Sequence, residues 1–208
     1  MAITTYAELQ AAAANWLVRG DLTARIPEFI ALAEARLNRV MRARLAEIEV
    51  PLTAGVGART VPLPAGFAEP LRLWIERATA RTELRFLPAE LIGASSLRGE
   101  PGAWTVDGPN VSFDRPCDQV YGLTLRLLRK FALSDAAPTN ALLSDFPDIY
   151  LFATLSEAAP FLRDPDLSAA YATKLALAIA DANSKEARSR AGRTLSTDLP
   201  GLVVARSL

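Results

Sequence analysis

Histidine is absent from this chain of 208 residues, and cysteine occurs once, as Cys117. Histidine is the commonest general base of enzymes and the commonest catalytic metal ligand. A structural zinc site needs a cluster of cysteine and histidine, which this composition excludes. A single cysteine cannot form an internal disulfide, a pattern that fits a reducing compartment. We therefore expect no enzymatic activity, no bound metal and no cofactor.

A net charge is also missing, because 23 Lys and Arg residues balance 23 Asp and Glu residues. A neutral chain has no overall electrostatic attraction to nucleic acid or to an anionic membrane. No uninterrupted apolar run reaches the roughly 18 residues of a membrane span. The first ten residues lack the basic and apolar regions of a secretory signal, so we expect none. A small nucleic-acid-binding protein is retained only as a remote alternative.

The residues that are present form an ordinary globular composition with a strong preference for arginine. Half of the residues are hydrophobic and 22% are charged, which suits one domain, or one domain with an insertion. Twenty arginines accompany three lysines. Because the guanidinium group forms planar, bidentate ion pairs, arginine is well suited to interfaces between proteins.

The N-terminal part has the periodicity of two helices. Thr5 and Glu8 form a capping box at the start of the first helix, and we expect that helix to end at Gly20. The second helix has Pro27 in its first turn, where proline is tolerated. Its apolar residues recur on one face, and they are Ile26, Phe29, Ile30, Ala33, Leu37, Val40, Met41 and Leu45.

Helical periodicity returns in the C-terminal part. We expect Ser144 or Asp145 to cap a largely apolar helix that ends or kinks at Pro160. Asp164 and Pro165 form a favourable N-cap and first residue for a long final helix.

The middle of the chain has the alternation and turn residues of short strands. Residues 48–63 are expected to form a hairpin, whose Pro51 and Pro62 suit only edge strands. The other expected elements are further strands at 71–75 and 83–87, a short helix at 88–95, a hairpin at 103–113, and the longest strand at 120–133.

Together these patterns predict an α+β fold that is mainly α. Residues 1–47 and 134–194 are expected to form a helical bundle, the helical core. Residues 48–133 are expected to form a β-rich insertion made of hairpins. Residues 195–208, with a Pro-Gly break and a short apolar run, are expected to form an extended C-terminal arm.

Two groups of residues are candidates for binding a partner. The first is an arginine face on the second helix, which is either a solvated surface or an ion-pairing contact with a neighbouring subunit. The second is the C-terminal arm, which is either a frayed end or a strand that adds to a partner. The candidate interface residues are Arg36, Arg39, Arg42 and Arg44. The candidate arm residues are Leu199, Leu202, Val203, Val204 and Leu208.

Several segments resemble the head–tail adaptor, or connector, proteins of tailed bacteriophages and prophages, in particular the adaptors of short-tailed phages. The resemblance covers about residues 4–184. Its segments are structural, and they are fairly specific only as a set. They are residues 5–10 (TYAELQ), 16–17 (WL), 19–22 (RGDL), 26–39 (IPEFIALAEARLNR), 63–67 (LPAGF), 138–140 (PTN), 146–151 (FPDIYL) and 157–162 (EAAPFL).

This resemblance implies a structural virion protein. It would be made in the cytoplasm of a bacterial host and would form a ring, expected to hold twelve copies, in the neck of the virion. The ring would join the portal protein to the tail or nozzle protein, and DNA would pass through its lumen without sequence-specific binding. The resemblance also implies that the arm after residue 194 binds the portal. A different head-completion or tail-terminator ring protein is the alternative, and a hydrolase that uses paired carboxylates is a further one.

Overall fold

The computed structural model describes residues 3–41, 44–93 and 95–194. In chain order, two helices precede seven strands and three helices follow them. The helices are α1 (Tyr6–Leu17), α2 (Ile26–Val40), α3 (Ala141–Asp145), α4 (Pro147–Ala158) and α5 (Pro165–Thr194). The strands are β1 (Glu47–Ala54), β2 (Thr60–Pro62), β3 (Phe67–Glu76), β4 (Arg81–Phe86), β5 (Ala103–Asp107), β6 (Asn110–Phe113) and β7 (Tyr121–Arg129). Short 3-10 segments are Gly20–Arg25, Arg44–Ala46 and Ala159–Leu162.

The predicted capping box at the start of α1 is confirmed. The amide of Glu8 donates to Oγ1 of Thr5 at 3.3 Å, and Oε2 of Glu8 accepts from the amide of Thr5 at 3.0 Å. The predicted end at Gly20 is wrong. Helix α1 ends at Leu17 because Val18 adopts a left-handed φ of 51°, and Gly20 starts the following 3-10 turn.

The apolar stripe of α2 is confirmed over most of its length. The buried residues are Ile26, Phe29, Ile30, Ala33 and Leu37, and Met41 is buried just beyond the helix. Val40 was expected in the stripe but is 56% exposed, although Leu37 and Met41 on either side of it are buried.

Helix α4 is the centre of the helical part of the structure. Its buried residues lie all around the helix axis, which is typical of a helix covered on every side. Helices α1, α2, α3 and α5 all pack against it. The large side chains of this first hydrophobic cluster that are fully buried are Leu9, Ile26, Ile30, Leu37, Leu142, Leu143, Ile149, Tyr150 and Leu155.

The N-cap predicted for α4 is wrong, and the N-cap predicted for α5 is confirmed. Ser144 and Asp145 were predicted to cap α4, but they lie in α3, whose N-cap is Asn140. The Asn140 Oδ1 atom accepts from the amide of Leu143 at 2.9 Å. The predicted cap of α5 is confirmed, because Oδ1 of Asp164 accepts from the amide of Leu167 at 2.9 Å.

The seven strands form one sheet in the order β1-β7-β3-β4-β5-β6-β2. The predicted hairpin over residues 48–63 is wrong, because β1 pairs antiparallel with β7 and β2 pairs antiparallel with β6. Both strands still lie at edges of the sheet, as Pro51 and Pro62 require, since proline cannot donate to a second neighbouring strand. The β5–β6 hairpin is confirmed, and its turn uses Gly108 at φ +54°.

Strand β7 connects the sheet to the helices. Its residues Tyr121, Leu123, Leu125 and Leu127 bury one face in a second hydrophobic cluster with Trp104 and Phe113 of β5 and β6. Leu128 points the other way and joins the helical cluster. The strand ends at Arg129, before the expected residue 133. The described residues 88–93 also form no helix, contrary to the helix expected at 88–95, since residues 88–91 form a turn closed by the Leu91 amide and the Pro88 carbonyl at 2.9 Å.

The chain is therefore of mixed α/β structure, 44% helical and 25% strand, with a seven-stranded sheet. The prediction that it is mainly α, as a helical bundle, is not confirmed. The reason is that the strands pair into one continuous sheet that has its own hydrophobic cluster. Among the described residues, no helix combines the length and the apolar character that crossing a bilayer requires.

Candidate functional site

Arg36, the first of the predicted interface arginines, has partners within its own subunit. Its Nη1 atom donates to Oγ of Ser156 at 3.1 Å and to Oε1 of Glu157 at 3.3 Å, both on α4. The side chains of Arg36 and Glu157 are 39% and 25% exposed. Arg36 therefore joins α2 to α4 and has its charge balanced there, so its role at a subunit contact stays a prediction.

Arg39 lies one turn further along α2 and differs from Arg36 in its exposure and in its lack of an ion pair with a described residue. It is exposed, and it forms no ion pair with any residue that the structure describes. Arg42 and the side chain of Arg44 lie outside the described residues. The predicted arginine face is thus represented by one paired and one unpaired guanidinium group.

Two further exposed cations lie at the end of β7, next to the residue that α2 contacts, and sequence reasoning did not select them. The Asn38 side chain fixes this end of α2, because its Nδ2 donates to the Phe131 carbonyl at 2.8 Å and its Oδ1 accepts from the Phe131 amide at 2.7 Å. Arg129 and Lys130, which directly precede Phe131, are exposed. The signal available in the sequence was the adjacent Arg-Lys pair at the end of the predicted strand.

A partly buried carboxylate, Glu34, lies on the inner side of α2. The Oε1 atom of Glu34 accepts from the Tyr150 hydroxyl at 3.3 Å, and that hydroxyl accepts from Nδ2 of Asn140 at 2.7 Å. Burial raises the pKa of Glu34 to about 7, while hydrogen bonds from the Leu133 amide and from Tyr150 oppose the rise. This network joins α2 to α4 and to the N-cap of α3. Tyr150 is fully buried, so a substrate could not reach its hydroxyl.

The described side chains that could act as a nucleophile or as metal ligands lie at sites that do not favour either role. Cys117 is buried, and burial together with the Asp118 charge raises the pKa of its thiol, which disfavours the reactive thiolate. Within the described part of the chain, no three side chains of the metal-binding types cluster together. An open cavity of about 310 Å³ lies between the 3-10 turn and the start of α5, where its one carboxylate, Asp164, caps the helix.

The second candidate group is the predicted C-terminal arm. Residues 195–208 lie outside the described residues. The predicted portal-binding residues Leu199, Leu202, Val203, Val204 and Leu208 all fall there. The two candidate groups are therefore not brought together by the described structure.

Comparison with known protein families decides the class of the protein. The family model described as "SU10 adaptor protein" matches residues 4–198, which is almost the whole chain. The chain belongs to the SU10 adaptor protein family. No curated protein matches it.

Membership in the SU10 adaptor family confirms the resemblance to phage head–tail adaptors. The chain is accordingly a bacteriophage adaptor, a structural component of the virion whose family implies contact with portal and tail proteins. The family is not known for enzymatic activity. Its match includes all five helices and all seven strands, so both hydrophobic clusters belong to the shared unit.

Proposed function

We propose that this SU10 adaptor is one subunit of a ring, expected to hold twelve copies, between the portal and the tail or nozzle. DNA would pass through the lumen of the ring without sequence-specific contacts. The observation that carries this proposal is the family match over residues 4–198. The protein would be made in the host cytoplasm and would act without catalysis or a cofactor.

The organisation of the chain supports a subunit with several distinct contact surfaces. We assign the helical core to residues 1–47 and 134–194 and the β-rich insertion to residues 48–133. A closed ring needs a heterologous contact, in which two different surfaces of one subunit match. The insertion would contact neighbouring subunits and the tail, since edge strands can pair with another chain.

The arm would bind the portal. Residues 195–208 follow the 30-residue helix α5, which is about 45 Å long at 1.5 Å per residue. An arm at the end of such a helix can reach a partner that the rest of the subunit does not touch. Its apolar residues, Leu199, Leu202, Val203, Val204 and Leu208, would occupy a groove or extend a sheet on the portal.

Electron microscopy of the protein mixed with the portal of the same phage tests the ring directly. We expect a ring of added density at one end of the portal, with the portal's rotational axis running through it. The matched control is the portal alone. Single copies bound at irregular positions on the portal, or no added density, would contradict the proposal.

A further inference from the structure

The segment that leads from β7 toward α3 is held by side chains. Residues 131–133, which we call the joint, belong to neither a helix nor a strand. Phe131 and Leu133 are buried in the helical cluster and Ala132 between them is exposed, an alternation that is typical of extended backbone. Because no neighbouring strand pairs with the joint, its buried amides and carbonyls need other hydrogen-bond partners.

Two side chains of α2 supply most of these partners. Asn38 binds both backbone groups of Phe131, since its Nδ2 donates to the carbonyl at 2.8 Å and its Oδ1 accepts from the amide at 2.7 Å. One turn earlier on α2, the carboxylate of Glu34 accepts from the amide of Leu133. Four residues of helix rise about 6 Å, and two residues of extended chain rise about 6.6 Å. The two side chains are therefore in register with the two amides.

The same carboxylate connects the joint to the C-terminal helices. The Tyr150 hydroxyl of α4 donates to Oε1 of Glu34 at 3.3 Å. Nδ2 of Asn140, the N-cap of α3, donates to that hydroxyl at 2.7 Å and to the Ala132 carbonyl of the joint at 3.4 Å. These bonds join α2, the joint, α3 and α4 in one network.

The joint lies where the chain passes from the sheet back to the helices. The chain makes this passage twice, once between α2 and β1 and once between β7 and α3. Strand β7 pairs with both β1 and β3. The bonds of the joint therefore fix the strand at the centre of three paired strands against the helices.

Among the side chains that bind the joint, only Glu34 changes its charge near neutral pH. Burial raises its pKa to about 7, against the opposing effect of its hydrogen bonds. Tyr150 of α4 and Tyr6 of α1 face it and stay neutral, because burial raises the pKa of both hydroxyls. The charges of Asp135 and Glu34 raise the pKa of Tyr6 further. Arg36, two residues along α2, is paired with a carboxylate of α4. These neighbours leave a charge on Glu34 without a cation to balance it.

We infer that the joint is a pH-dependent contact between the sheet and the helices, which is closed most firmly while Glu34 is protonated and opens more often once Glu34 is charged. The charge is unfavourable in the closed joint and is solvated when the joint opens. Opening therefore becomes easier as the pH rises from 4.5, the ordinary pKa of the group, to about 7, and changes little above that value. The full difference corresponds to a factor of about 300 in the opening constant, and solvent screening at this partly buried site reduces it to about tenfold.

Hydrogen exchange of single amides, followed by NMR at pH 5 and at pH 8, tests the joint. Each rate is divided by the intrinsic rate of an unstructured peptide at the same pH, which gives a protection factor. We expect the protection of the Leu133 amide to fall about tenfold between pH 5 and pH 8. It should also be lower than that of the Leu155 amide in the centre of α4, which reports global unfolding. The chain has no histidine that would titrate in the same range.

Three variants separate the titrating group from the other partners of the joint. Glu34→Gln is neutral at every pH, so the protection of the Leu133 amide should be equal at both pH values. Glu28→Gln, at an exposed site of the same helix, is the matched control and should keep the tenfold fall. Asn38→Ala removes a partner that does not titrate, so it should lower the protection of the Phe131 amide at both pH values.

The possible results distinguish the joint from the proposed ring. Wild-type protection of the Leu133 amide that is the same at pH 5 and pH 8, or a fall that persists in Glu34→Gln, would overturn the pH dependence. Equal protection of the Leu133 and Leu155 amides would overturn the joint, because opening would then be global unfolding. The measurement uses the protein without its portal, so its outcome leaves the ring proposal unaffected.

Discussion

Glu34 is a carboxylate on the inner side of α2, and replacing it with glutamine should stabilise the protein at alkaline pH. Burial raises the pKa of Glu34 to about 7 from its ordinary value of 4.5. The folded state therefore holds the proton more tightly than the unfolded state does. The contribution of Glu34 is most favourable below pH 4.5, decreases as the pH rises through 7, and is a constant cost above that value.

The size of this cost follows from the shift in pKa. Each unit corresponds to about 1.4 kcal/mol, so the full shift would amount to roughly 3 kcal/mol. Because Glu34 is only partly buried, solvent screening reduces the expected cost to about 1–2 kcal/mol. Glutamine is neutral at every pH, and its side-chain carbonyl can still accept from the Leu133 amide and the Tyr150 hydroxyl.

Urea unfolding followed by circular dichroism measures the effect at pH 5 and at pH 8. We expect Glu34→Gln to be more stable than the wild type by about 1–2 kcal/mol at pH 8, and by less than half of that at pH 5. Glu28→Gln, at an exposed site of the same helix, is the control and should change little with pH. A Glu34→Gln protein that is less stable than the wild type at pH 8, or equally affected at both pH values, would refute the reasoning.

Three further changes probe the core and the contact surfaces. Leu155→Ala, at a fully buried site of α4, should lower the free energy of unfolding by about 2–5 kcal/mol, and a loss below about 1 kcal/mol in urea unfolding would show that α4 is not the centre of the core. Arg39→Glu/Arg42→Glu should block ring assembly on the portal in sedimentation while leaving the circular dichroism spectrum unchanged, and normal assembly would argue against the arginine face. Deleting residues 195–208 should abolish portal binding in a pull-down, and undiminished binding would remove the arm from the proposal.

The features predicted well from the sequence depend on residues close together in the chain. The capping box of Thr5 and Glu8 spans three residues, and the Asp164 cap also spans three, so a local pattern contains all the information. The stripe of α2 is similarly readable, since helical geometry alone places its residues on one face. Such elements were found with correct identity, although α1 ends at Leu17 and not at Gly20, and α2 ends at Val40, before the predicted Leu45.

The pairing of the strands could not be read in the same way. Residues 48–63 have the local pattern of a hairpin, yet Glu47 pairs with Leu128, 81 residues away. That choice depends on which surfaces can be buried together, and the local alternation of side chains does not specify it. The predominance of helix was overestimated for the same reason, because seven short strands were not expected to join in one sheet.

The contacts of the candidate site also join residues that are far apart in the chain. Arg36 and Glu157 are 121 residues apart, so their ion pair was not visible in the sequence. Asn38 and Phe131 are 93 residues apart, so the hydrogen bonds that hold the end of α2 beside the end of β7 were not visible either. The family, in contrast, was recognisable from several short segments spread along the chain.

The mass of the purified protein, alone and mixed with the portal of its own phage, tests the central claim most directly. Light scattering gives this mass without a label or a crystal. We expect the protein to join the portal in a fixed number of copies, twelve for the proposed ring, each adding 22.4 kDa. A protein of 22.4 kDa that remains separate from the portal at every ratio would contradict the adaptor account.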